Sequence, residues 1–331
     1  MEKIDFVIAW VDGNDPAWQA EKAKCQGKTL DDARNIRYRE WDLLRYWFRG
    51  VEKYAPWVNR IHFITWGHLP PWLNTEDPRL HIVRHEDYIP AEYLPTFSSH
   101  PIELNMHRIP DLSEHFVYFN DDFYLTAPVK PEDFFVNGVP CDSLEEHPLR
   151  FKRREIMNGV NTNDIIFANL HFEKEKCRKA NLSKWYPVQT PKVALKNLLL
   201  SPVSRDVFFG LNYHHLPQAY TKSTLAAVWE MEPKWLHETC THKFRSAEDV
   251  SQCVFKYYQL ATGKFHPYNK PKYGGWYKGG RDYVGAAQAI RDRRYKFICY
   301  NDSEELDFDA AQPVMKAAFE AVLPEKCGFE K

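Results

Sequence analysis

The chain has 331 residues and carries 44 Lys and Arg against 45 Asp and Glu, so its formal net charge is −1. This balance argues against the extended basic surface that nucleic-acid-binding proteins present, and no nucleic-acid partner is predicted. Hydrophobic residues make up 44% of the chain, enough to fill a substantial core in two domains or in one large α/β domain.

The first predicted element is a buried strand over residues 4–11 that runs directly into a polar loop. The strand sequence IDFVIAWV is almost continuously apolar, as expected of a strand that is covered on both faces. Asp12, Asn14 and Asp15 follow it, and Gly13 permits a tight turn. Ligands of open α/β sheets bind at the carboxyl ends of strands, so this loop is a candidate part of a ligand site.

A helix and three further strands are predicted before residue 135. Residues 40–54 place large apolar side chains on one helical face until Pro56 stops the pattern. The further strands are predicted over residues 61–66, 80–84 and 116–119. Alternation of strands and helices is typical of βαβ units and a parallel sheet.

The strand over residues 116–119 ends abruptly in an amide and two adjacent carboxylates, Asn120, Asp121 and Asp122. Adjacent like charges repel and are costly to desolvate, but a divalent cation that bridges diphosphate oxygens would stabilise both. The alternative is a solvated Asn-Asp turn, which is common at strand ends. Because a second polar loop follows the first strand, the sequence favours one cleft lined from two strands and a metal-dependent nucleotide-sugar enzyme.

The periodic pattern is lost over residues 136–190, which are charged and rich in Asn. This stretch could be an insertion over the cleft or a solvated excursion. Helices are predicted to dominate afterwards. One opens with Pro191 in its first turn, and another starts at a capping-box-like Ser246 and Asp249 and ends near Gly263.

Three elements are predicted near the carboxyl end. Residues 268–281 are dense in Gly, Lys and Tyr and are predicted to form a mobile loop that could close on a substrate. The strand over residues 297–300 ends in Asn301 and Asp302, another polar strand end. Residues 309–322 are predicted to form a terminal helix.

The seven cysteines form no C-x-x-C pair and are odd in number, so neither a zinc site nor a dense disulfide scaffold is predicted. A reducing cytoplasm is the expected location. Because the chain enters its first strand after three residues, no secretory leader is expected, and no membrane span is predicted because no segment has the ~20 apolar residues that one requires.

Four segments of the chain resemble sequences of a known protein family. They are IDFVIAWVDGNDP at residues 4–16, a second segment from Arg37 to the YFNDDFYL that ends at Leu125, a third from Phe209 through HHLPQAY to Lys264, and KFICYND at residues 296–302. In these residues the chain resembles the Stealth family of sugar-1-phosphate transferases, which includes bacterial capsule and exopolysaccharide phosphotransferases and the lysosomal-enzyme GlcNAc-1-phosphotransferase. Long matches in a fixed order are more specific than a short motif.

The resemblance implies an α/β fold, with a Rossmann-like, GT-A-like parallel core and a largely helical carboxyl-terminal half. One catalytic domain is expected over residues 1–331: a nucleotide-sugar-binding core at 1–135, an insertion or lid at 136–190, and a helical half at 191–331. The implied reaction is attack by an acceptor hydroxyl on the sugar-linked phosphorus of a UDP-sugar, which forms a phosphodiester and releases UMP.

The expected acceptor is a growing surface polysaccharide or a lipid-linked oligosaccharide. The chain is short compared with the lysosomal-enzyme transferase, so a protein acceptor is not expected. A cytoplasmic enzyme would meet a membrane-borne acceptor at the inner face of the membrane, where it could associate peripherally with membrane-bound polysaccharide assembly proteins. The alternatives are a conventional glycosyltransferase that releases UDP and a catalytically silent carbohydrate-binding protein.

The resemblance also implies roles for individual residues. Asp121 and Asp122 match the acidic pair that would hold Mg²⁺ or Mn²⁺, although one of them could instead be the general base. His215 matches the histidine of the third segment and is the preferred base, with His214 leaving the choice of ring open. The nucleotide-binding loop is matched by Trp10, Asp12, Gly13 and Asn14.

Three basic residues are candidates for phosphate binding. Arg39 and Arg45 lie in the second segment, and Arg45 falls on a helix from which its guanidinium could clamp a phosphate. An ion pair of Arg45 with Asp42 or Glu52 is the alternative. Arg245 precedes a predicted helix start and could face an anion, or serve as a cap or in a salt bridge.

Asn301 and Asp302 are assigned to the nucleotide site, with a plain Asn-Asp turn as the alternative. Ala9, Trp66 and His68 differ from the residues that are usual in the family. Members of the family often have Thr at the position of Ala9. These departures could alter which donor sugar fits.

Overall fold

The computed structural model describes residues 2–26, 38–151, 155–277 and 282–331. In these ranges the strands are β1 (Ile4–Ala9), β2 (Ile61–Thr65), β3 (Leu80–Arg84), β4 (His115–Phe119), β5 (Phe123–Leu125), β6 (Phe135–Val136), β7 (Val139–Asp142), β8 (Gln218–Thr221), β9 (His266–Pro267), β10 (Gly274–Tyr277) and β11 (Phe297–Tyr300). The helices are α1 (Pro16–Cys25), α2 (Leu44–Tyr54), α3 (His85–Tyr88), α4 (Ser99–Leu104), α5 (Ile156–His171), α6 (Lys174–Ala180), α7 (Leu182–Trp185), α8 (Pro191–Leu200), α9 (Lys222–Met231), α10 (Pro233–Thr241), α11 (Cys253–Thr262), α12 (Lys270–Tyr273), α13 (Tyr283–Arg291) and α14 (Phe308–Val322).

A five-stranded sheet in the order β3-β2-β1-β4-β8 forms the centre of the molecule. Strands β1 to β4 are mutually parallel, and β8 joins β4 in the antiparallel direction. The predicted parallel core is confirmed. Because Ile8 of β1 lies opposite Phe119 of β4, the polar loops that follow these two strands leave the sheet at the same edge.

Helices cover both faces of this sheet, which accounts for the near-continuous apolar character of β1. Phe6 and Ile8 face one core, which also contains Trp47 of α2 and residues of α13 and α14. Val7 points to the opposite side and packs in a second core with Leu225 of α9 and residues of α11. The α/β fold class and the largely helical second half are therefore confirmed.

A smaller sheet in the order β10-β11-β5 positions the site. Strand β5 begins immediately after the acidic pair and is antiparallel to β11. The backbone N–H of Tyr300, the last residue of β11, donates to the carbonyl of Asp122 at 3.1 Å. The polar end of β11 is thereby joined to the polar end of β4. Strands β6, β7 and β9 form a third sheet.

Residues 136–190 are more ordered than their composition suggested, because α5, α6 and α7 lie within them. Their polar side chains bond to the neighbouring loop rather than to solvent alone. Asn163 donates to the carbonyl of Asp249 at 2.9 Å, and Asp164 accepts from the backbone N–H of Ser251 at 2.8 Å. The loss of apolar periodicity therefore did not mark the loss of helical structure.

The helix predicted to start at Ser246 begins later, at Cys253, so that prediction of its start is wrong. Asp249 does accept from the backbone N–H of Ser246 at 3.0 Å, but this bond closes a turn ahead of the helix. The Asp249 carboxylate is also bonded to His100 Nδ1 at 2.8 Å. The predicted end is confirmed, since Gly263 caps the helix with a φ of +72°.

The predicted mobile loop over residues 268–281 is wrong for most of its length. Residues 270–277 form α12 and β10, and β10 pairs with β11 along its whole length. The glycines serve packing here, because a Cβ on Gly274 would lie 2.2 Å from Leu216 Cδ1. Residues 278–281 lie outside the described part of the chain.

The seven cysteines are all free in the structure. The helices among the described residues are each too short or too polar to cross a membrane.

Candidate active site

Asp122 lies where two sheets meet. The turn that carries it is closed by a bond from the N–H of Phe123 to the carbonyl of Asn120 at 3.1 Å, after which β5 begins. The side-chain amide of Asn301, at the end of β11, donates to Asp122 Oδ2. Two of the predicted polar strand ends are thus in direct contact, and Asp122 is held by its backbone and by its side chain.

His215 faces Asp122, and His214 does not. His215 Nε2 lies 3.7 Å from Asp122 Oδ2, and its ring packs edge-on against Phe123 at 4.8 Å between centroids. His214 Nε2 instead lies 3.4 Å from a carboxylate oxygen of Glu145, and burial lowers the pKa of His214. Of the adjacent pair, His215 is the ring that could exchange a proton at the acidic pair.

The cleft concentrates negative charge. The side chain of Asp121 reaches solvent in the cleft, but desolvation by the protein around the cleft and the carboxylates of Asp122 and Glu40 all raise its pKa. Glu40 accepts a hydrogen bond from Trp10 Nε1 at 3.0 Å, and burial raises its pKa as well. The repulsion between these carboxylates is reduced when a cation binds to them or when they are protonated.

The donor atoms present fit a hard divalent cation. Asp122 Oδ1 and Asn120 Oδ1 are buried without a hydrogen-bond partner in the described part of the chain. Carboxylate and amide oxygens are the ligands that Mg²⁺ and Mn²⁺ prefer. Asp122, His215 and Cys299 also offer ligand atoms within 4.8 Å of one another, but burial and the Asp122 charge raise the pKa of the Cys299 thiol, which disfavours the thiolate that binds metals.

A cavity of about 140 Å³ lies below the carboxyl ends of β1 and β4. Arg245 contributes to its lining and donates from Nη2 to Ser99 Oγ at 2.7 Å. Its positive charge only partly offsets the effects that raise the pKa of Asp121. The full lining is Ala9, Trp10, Val11, Trp18, Tyr38, His85, Thr96, Phe97, Ser98, Ser99, Ile102, Glu103, Tyr118, Asn120, Asp121 and Arg245.

The loop after β1 is held in place from several sides. The backbone N–H of Asp12 donates to His68 Nε2 at 2.7 Å, and the N–H of Asn14 donates to Asp12 Oδ1 at 2.8 Å. A Cβ on Gly13 would lie 2.0 Å from the carbonyl oxygen of Tyr38, so only glycine fits there. His68, one of the unusual residues of this sequence, thus supports the predicted nucleotide-binding loop.

Arg39 and Asp302 form a pair beside the Asp122 and Asn301 contact. Arg39 Nε lies 3.5 Å from Asp302 Oδ2, which also accepts from Trp41 Nε1 at 3.1 Å. One guanidinium nitrogen of Arg39, Nη1, is buried without a hydrogen-bond partner among the described residues. Arg37, where the second matching segment starts, lies outside them.

Arg45 is placed differently. Its Nη2 lies 3.2 Å from Asp42 Oδ1, and its guanidinium stacks 5.4 Å from the ring centroid of Trp72. This is the ion-pair alternative that the sequence left open. The phosphate-binding role of Arg45 stays a prediction.

Two residues of the site were missed by sequence reasoning. Glu40 stands at the start of the predicted helix, where an acidic residue is usual and gives no signal of its own. Trp276 approaches His215 at 5.5 Å between ring centroids, and its Nε1 donates to Asn301. Its position in a glycine-rich stretch suggested a loop and concealed the contact.

Family models match two parts of the chain. The model of Stealth protein conserved region 1 matches residues 2–29, and that of conserved region 2 matches residues 37–141. The second range contains the acidic pair and Glu40. These matches cover the first two of the four segments that carried the resemblance.

Three bacterial relatives match nearly the whole chain. The capsular polysaccharide phosphotransferase WcwK of Streptococcus pneumoniae is 40% identical, covering 100% of this chain and 99% of that protein. The receptor polysaccharide phosphotransferase WefC of Streptococcus oralis is 39% identical over 100% of both. The exopolysaccharide phosphotransferase cps2G of Lactiplantibacillus plantarum is 33% identical over 99% of this chain and 96% of that one.

Two solved structures show a distant likeness. Mouse xyloside xylosyltransferase 1 is 10% identical with a TM-score of 0.39, covering 92% of this chain and 99% of that one. The galactosyltransferase LgtC is 8% identical with a TM-score of 0.43 and 95% coverage of both. Likeness at this level carries no weight for function, and the fold class rests on the sheet itself.

Proposed function

The chain belongs to the Stealth family, and from that premise we propose that it transfers a sugar-1-phosphate from a UDP-sugar to a hydroxyl of a growing surface polysaccharide. Relatives that are 33% to 40% identical and match almost the whole chain are named polysaccharide phosphotransferases. The donor would be a UDP-hexose or a UDP-N-acetylhexosamine, and the acceptor a polysaccharide or a lipid-linked oligosaccharide.

The proposed reaction is a displacement at the sugar-linked phosphorus. A bond forms between the acceptor oxygen and this phosphorus, and the phosphoanhydride bond to UMP breaks. The acceptor proton passes to a base, and UMP leaves with the bridging oxygen. Phosphoryl transfer of this kind asks the protein chiefly for positioning and for stabilisation of charge.

We assign the base to His215. Its Nε2 is directed toward Asp122, and the carboxylate can stabilise the imidazolium that forms when the ring takes the acceptor proton. This contact, at 3.7 Å between the end of β4 and the segment before β8, is the observation that carries the proposal. His214 is turned toward Glu145 and is assigned a structural role.

Asp122 and Asp121, with the neighbouring Asn120, would hold a divalent cation. When bound, the cation would supply positive charge to the diphosphate oxygens. Arg245 would donate to the transferred phosphate from the far side of the cavity, where its guanidinium is held by Ser99.

The remaining residues are assigned to the nucleotide. Trp10 lines the cavity and is fixed by its bond to Glu40, so it could stack on the uracil or ribose. Asp12, Gly13 and Asn14 would contact the nucleotide from the loop after β1. Arg39, Asn301 and Asp302 would bind it from the other side of the cleft.

Peripheral association with membrane-bound assembly proteins is part of the same proposal.

The test is the identity of the nucleotide product. The purified protein is incubated with Mn²⁺ or Mg²⁺, a panel of UDP-sugars and an oligosaccharide acceptor, and nucleotides are separated by anion-exchange chromatography. UMP and a phosphodiester-linked product are expected. Release of UDP would identify a conventional glycosyltransferase, and a protein that binds carbohydrate without forming either nucleotide would be a silent binding protein.

A further inference from the structure

Helix α8 turns its apolar side chains outward. Leu195, Leu198 and Leu199 are 58%, 59% and 67% exposed, and their spacing places them on one face of the helix. Asn197, which points the opposite way, is completely buried. This orientation reverses what is expected of a helix on the surface of a globular protein.

The orientation of α8 is fixed by the buried amide of Asn197. Its Nδ2 donates to the carbonyls of Leu144 at 2.9 Å and Trp185 at 2.8 Å, and its Oδ1 accepts from the N–H of Glu146 at 2.8 Å. Rotating the helix to bury its leucines would break these three bonds. The exposure of the leucines is therefore specified by the core beneath them.

More exposed apolar residues flank the helix. Val188 precedes it and is 89% exposed, while Val203 and Val207 follow it and are 78% and 51% exposed. We refer to these three valines and the three leucines of α8 as the α8 face. Single exposed apolar residues are normal, but six within twenty residues, three of them in one helical stripe, mark a surface that binds a partner.

The charge around the α8 face is basic. Residues 182–207 contain four cationic side chains and one acidic side chain, whereas the whole chain has a net charge of −1. The cationic residues are Lys184, Lys192, Lys196 and Arg205, and the acidic residue is Asp206. Glu145, from outside this range, pairs with Lys196 at 2.6 Å between Oε1 and Nζ, which leaves an excess of two positive side chains. Lys192 lies one turn from Leu195 on the same side of α8. An apolar stripe with a basic border suits the interface of a membrane that contains anionic lipids.

We propose that the α8 face docks on an anionic lipid surface, with its leucines among the acyl chains near the headgroups and the neighbouring Lys192 at the phosphates. The proposal concerns adsorption to a membrane and does not rest on the reaction proposed above. It names the surface through which peripheral association would occur.

A second copy of the chain fits this surface less well than a membrane. A two-fold interface would place the α8 face against itself and bring its basic residues together. One helix of ten residues also offers less than the ~800 Å² per partner that a standard interface buries. Insertion into a lipid interface needs neither a large area nor a complementary shape.

The experiment measures co-sedimentation of the intact protein with vesicles in the absence of any donor or acceptor. Vesicles of phosphatidylcholine alone are compared with vesicles that also contain phosphatidylglycerol. The wild-type protein should bind the anionic vesicles, and added salt should weaken binding. The triple variant L195S/L198S/L199S should bind about tenfold or more weakly, since three apolar anchors are lost.

The control is V284S, which removes an apolar side chain that is 63% exposed on a different helix, α13. It should bind vesicles as the wild type does, and both variants should keep the wild-type melting temperature because the substituted residues are exposed. Failure of the wild type to bind, equal binding to both vesicle types, or unchanged binding of the triple variant would overturn the proposal. A wild-type dimer in sedimentation that the triple variant abolishes would identify a second copy as the occupant instead.

Discussion

Two charged clusters of this molecule differ in how completely their buried carboxylate oxygens are satisfied. At the end of β4, Asp122 Oδ1 is buried without a hydrogen-bond partner among the described residues. In the second cluster, at the end of β7, Asp142 is completely buried, with Lys270 Nζ at 3.0 Å and Lys256 Nζ at 3.3 Å. Gln218 Nε2 donates to its other oxygen at 2.7 Å.

The electrostatic consequences are opposite. Desolvation by the surrounding protein raises the pKa of a carboxyl, and it acts on both Asp121 and Asp142. At Asp142 the two ammonium groups outweigh burial and hold the pKa well below its usual range. At Asp121, whose side chain reaches solvent in the cleft, the neighbouring carboxylates of Asp122 and Glu40 add to desolvation by the surrounding protein and raise the pKa. A carboxylate that the protein itself neutralises is structural, whereas a cluster left with unbalanced charge is prepared for a ligand.

The satisfied cluster also supports the unsatisfied one. Lys256 Nζ donates to the carbonyl of Asn212 at 3.4 Å, three residues before His215. Lys270 opens the short helix α12, which leads into β10 and Trp276. The buried ion cluster thus anchors both segments that approach Asp122 from this side. Substitutions in the acidic pair at the end of β4 should therefore lower activity without lowering stability. Substitutions in the Asp142 cluster should lower stability.

The largest effect is expected at the acidic pair. Asp121→Asn and Asp122→Asn should each lower turnover by about 10³-fold or more, because loss of several kcal/mol of charge stabilisation costs a factor of ten for every ~1.4 kcal/mol. The melting temperature of the apo protein should be unchanged or raised, since each variant relieves repulsion. The rise in melting temperature that Mn²⁺ gives the wild type should be lost.

The matched control for this pair is Asp111→Asn, which alters a carboxylate whose side chain is 80% exposed and whose backbone φ of +58° asparagine accepts readily. It should retain wild-type turnover and wild-type stabilisation by Mn²⁺. Near-normal turnover of both pair variants at limiting metal would exclude metal coordination by Asp121 and Asp122.

The second prediction distinguishes the roles of the adjacent residues His214 and His215. His215→Ala should lower kcat by roughly 10²–10⁴-fold with little change in donor affinity, as expected when a general base is removed. His214→Ala should chiefly lower stability, because its ring is buried against Glu145. The measurements are turnover, donor binding and thermal unfolding of both variants.

Two outcomes would contradict this assignment of the base. If His214→Ala is the inactive variant, the alignment of the third segment is displaced by one residue. If both variants remain active, the base must be sought among Asp121, Asp122 and Asp302.

The third effect tests the buried cluster. Asp142→Asn should lower the free energy of unfolding by about 3–5 kcal/mol, because it leaves two buried ammonium groups without their counterion. Urea denaturation measures the free energy of unfolding. The control Asp206→Asn, at an exposed carboxylate, should lower this free energy by no more than about 0.5 kcal/mol. Stability equal to the wild type would show that the cluster is not structural.

The same variant has a defined pH dependence. The pKa of Asp142 is lower in the folded state than its value of about 3.9 in the unfolded chain, so the ionised carboxylate stabilises the fold fully above pH ~4. That stabilisation is lost as the pH falls below this value toward the folded-state pKa. The difference in stability between wild type and Asp142→Asn should therefore narrow in acid.

The sequence predicted the sheet better than the contacts around it. Strand β4 and the acidic pair were identified because an apolar run ends in charged residues, a signal contained within seven consecutive residues. The contact of Asp122 with Asn301 joins residues 179 positions apart, and no local pattern specifies it. The family resemblance placed both residues in one site, although it did not supply their geometry.

Sequence reasoning failed where polar residues bond to one another inside the fold. Nothing in the spacing of Asp142, Lys256 and Lys270 distinguishes them from exposed charges, and the cluster went unrecognised. The inverted orientation of α8 was hidden for the same reason. Its sequence PKVALKNLLL suggests buried leucines and an exposed Asn197, but three hydrogen bonds from the core reverse that arrangement.

The smallest effect is expected at Arg45, and it is best measured beside Arg245. Arg45→Ala should change turnover by no more than about fivefold, because a partly exposed ion pair with Asp42 contributes only about 0.2–1 kcal/mol. Arg245→Ala should lower turnover by about 10²–10³-fold, as loss of a preorganised donor to developing charge typically does.

The two arginines differ in what a lysine can restore. Lys at position 245 keeps the charge but loses the planar fork that reaches Ser99 and an anion together, so Arg245→Lys should recover only part of the activity. Arg45→Lys should be indistinguishable from wild type. If instead Arg45→Ala raised the KM for the donor tenfold or more, the helix α2 would have to turn this guanidinium from Asp42 to the phosphate when the donor binds. The phosphate-clamp prediction made from the sequence would then hold for the complex.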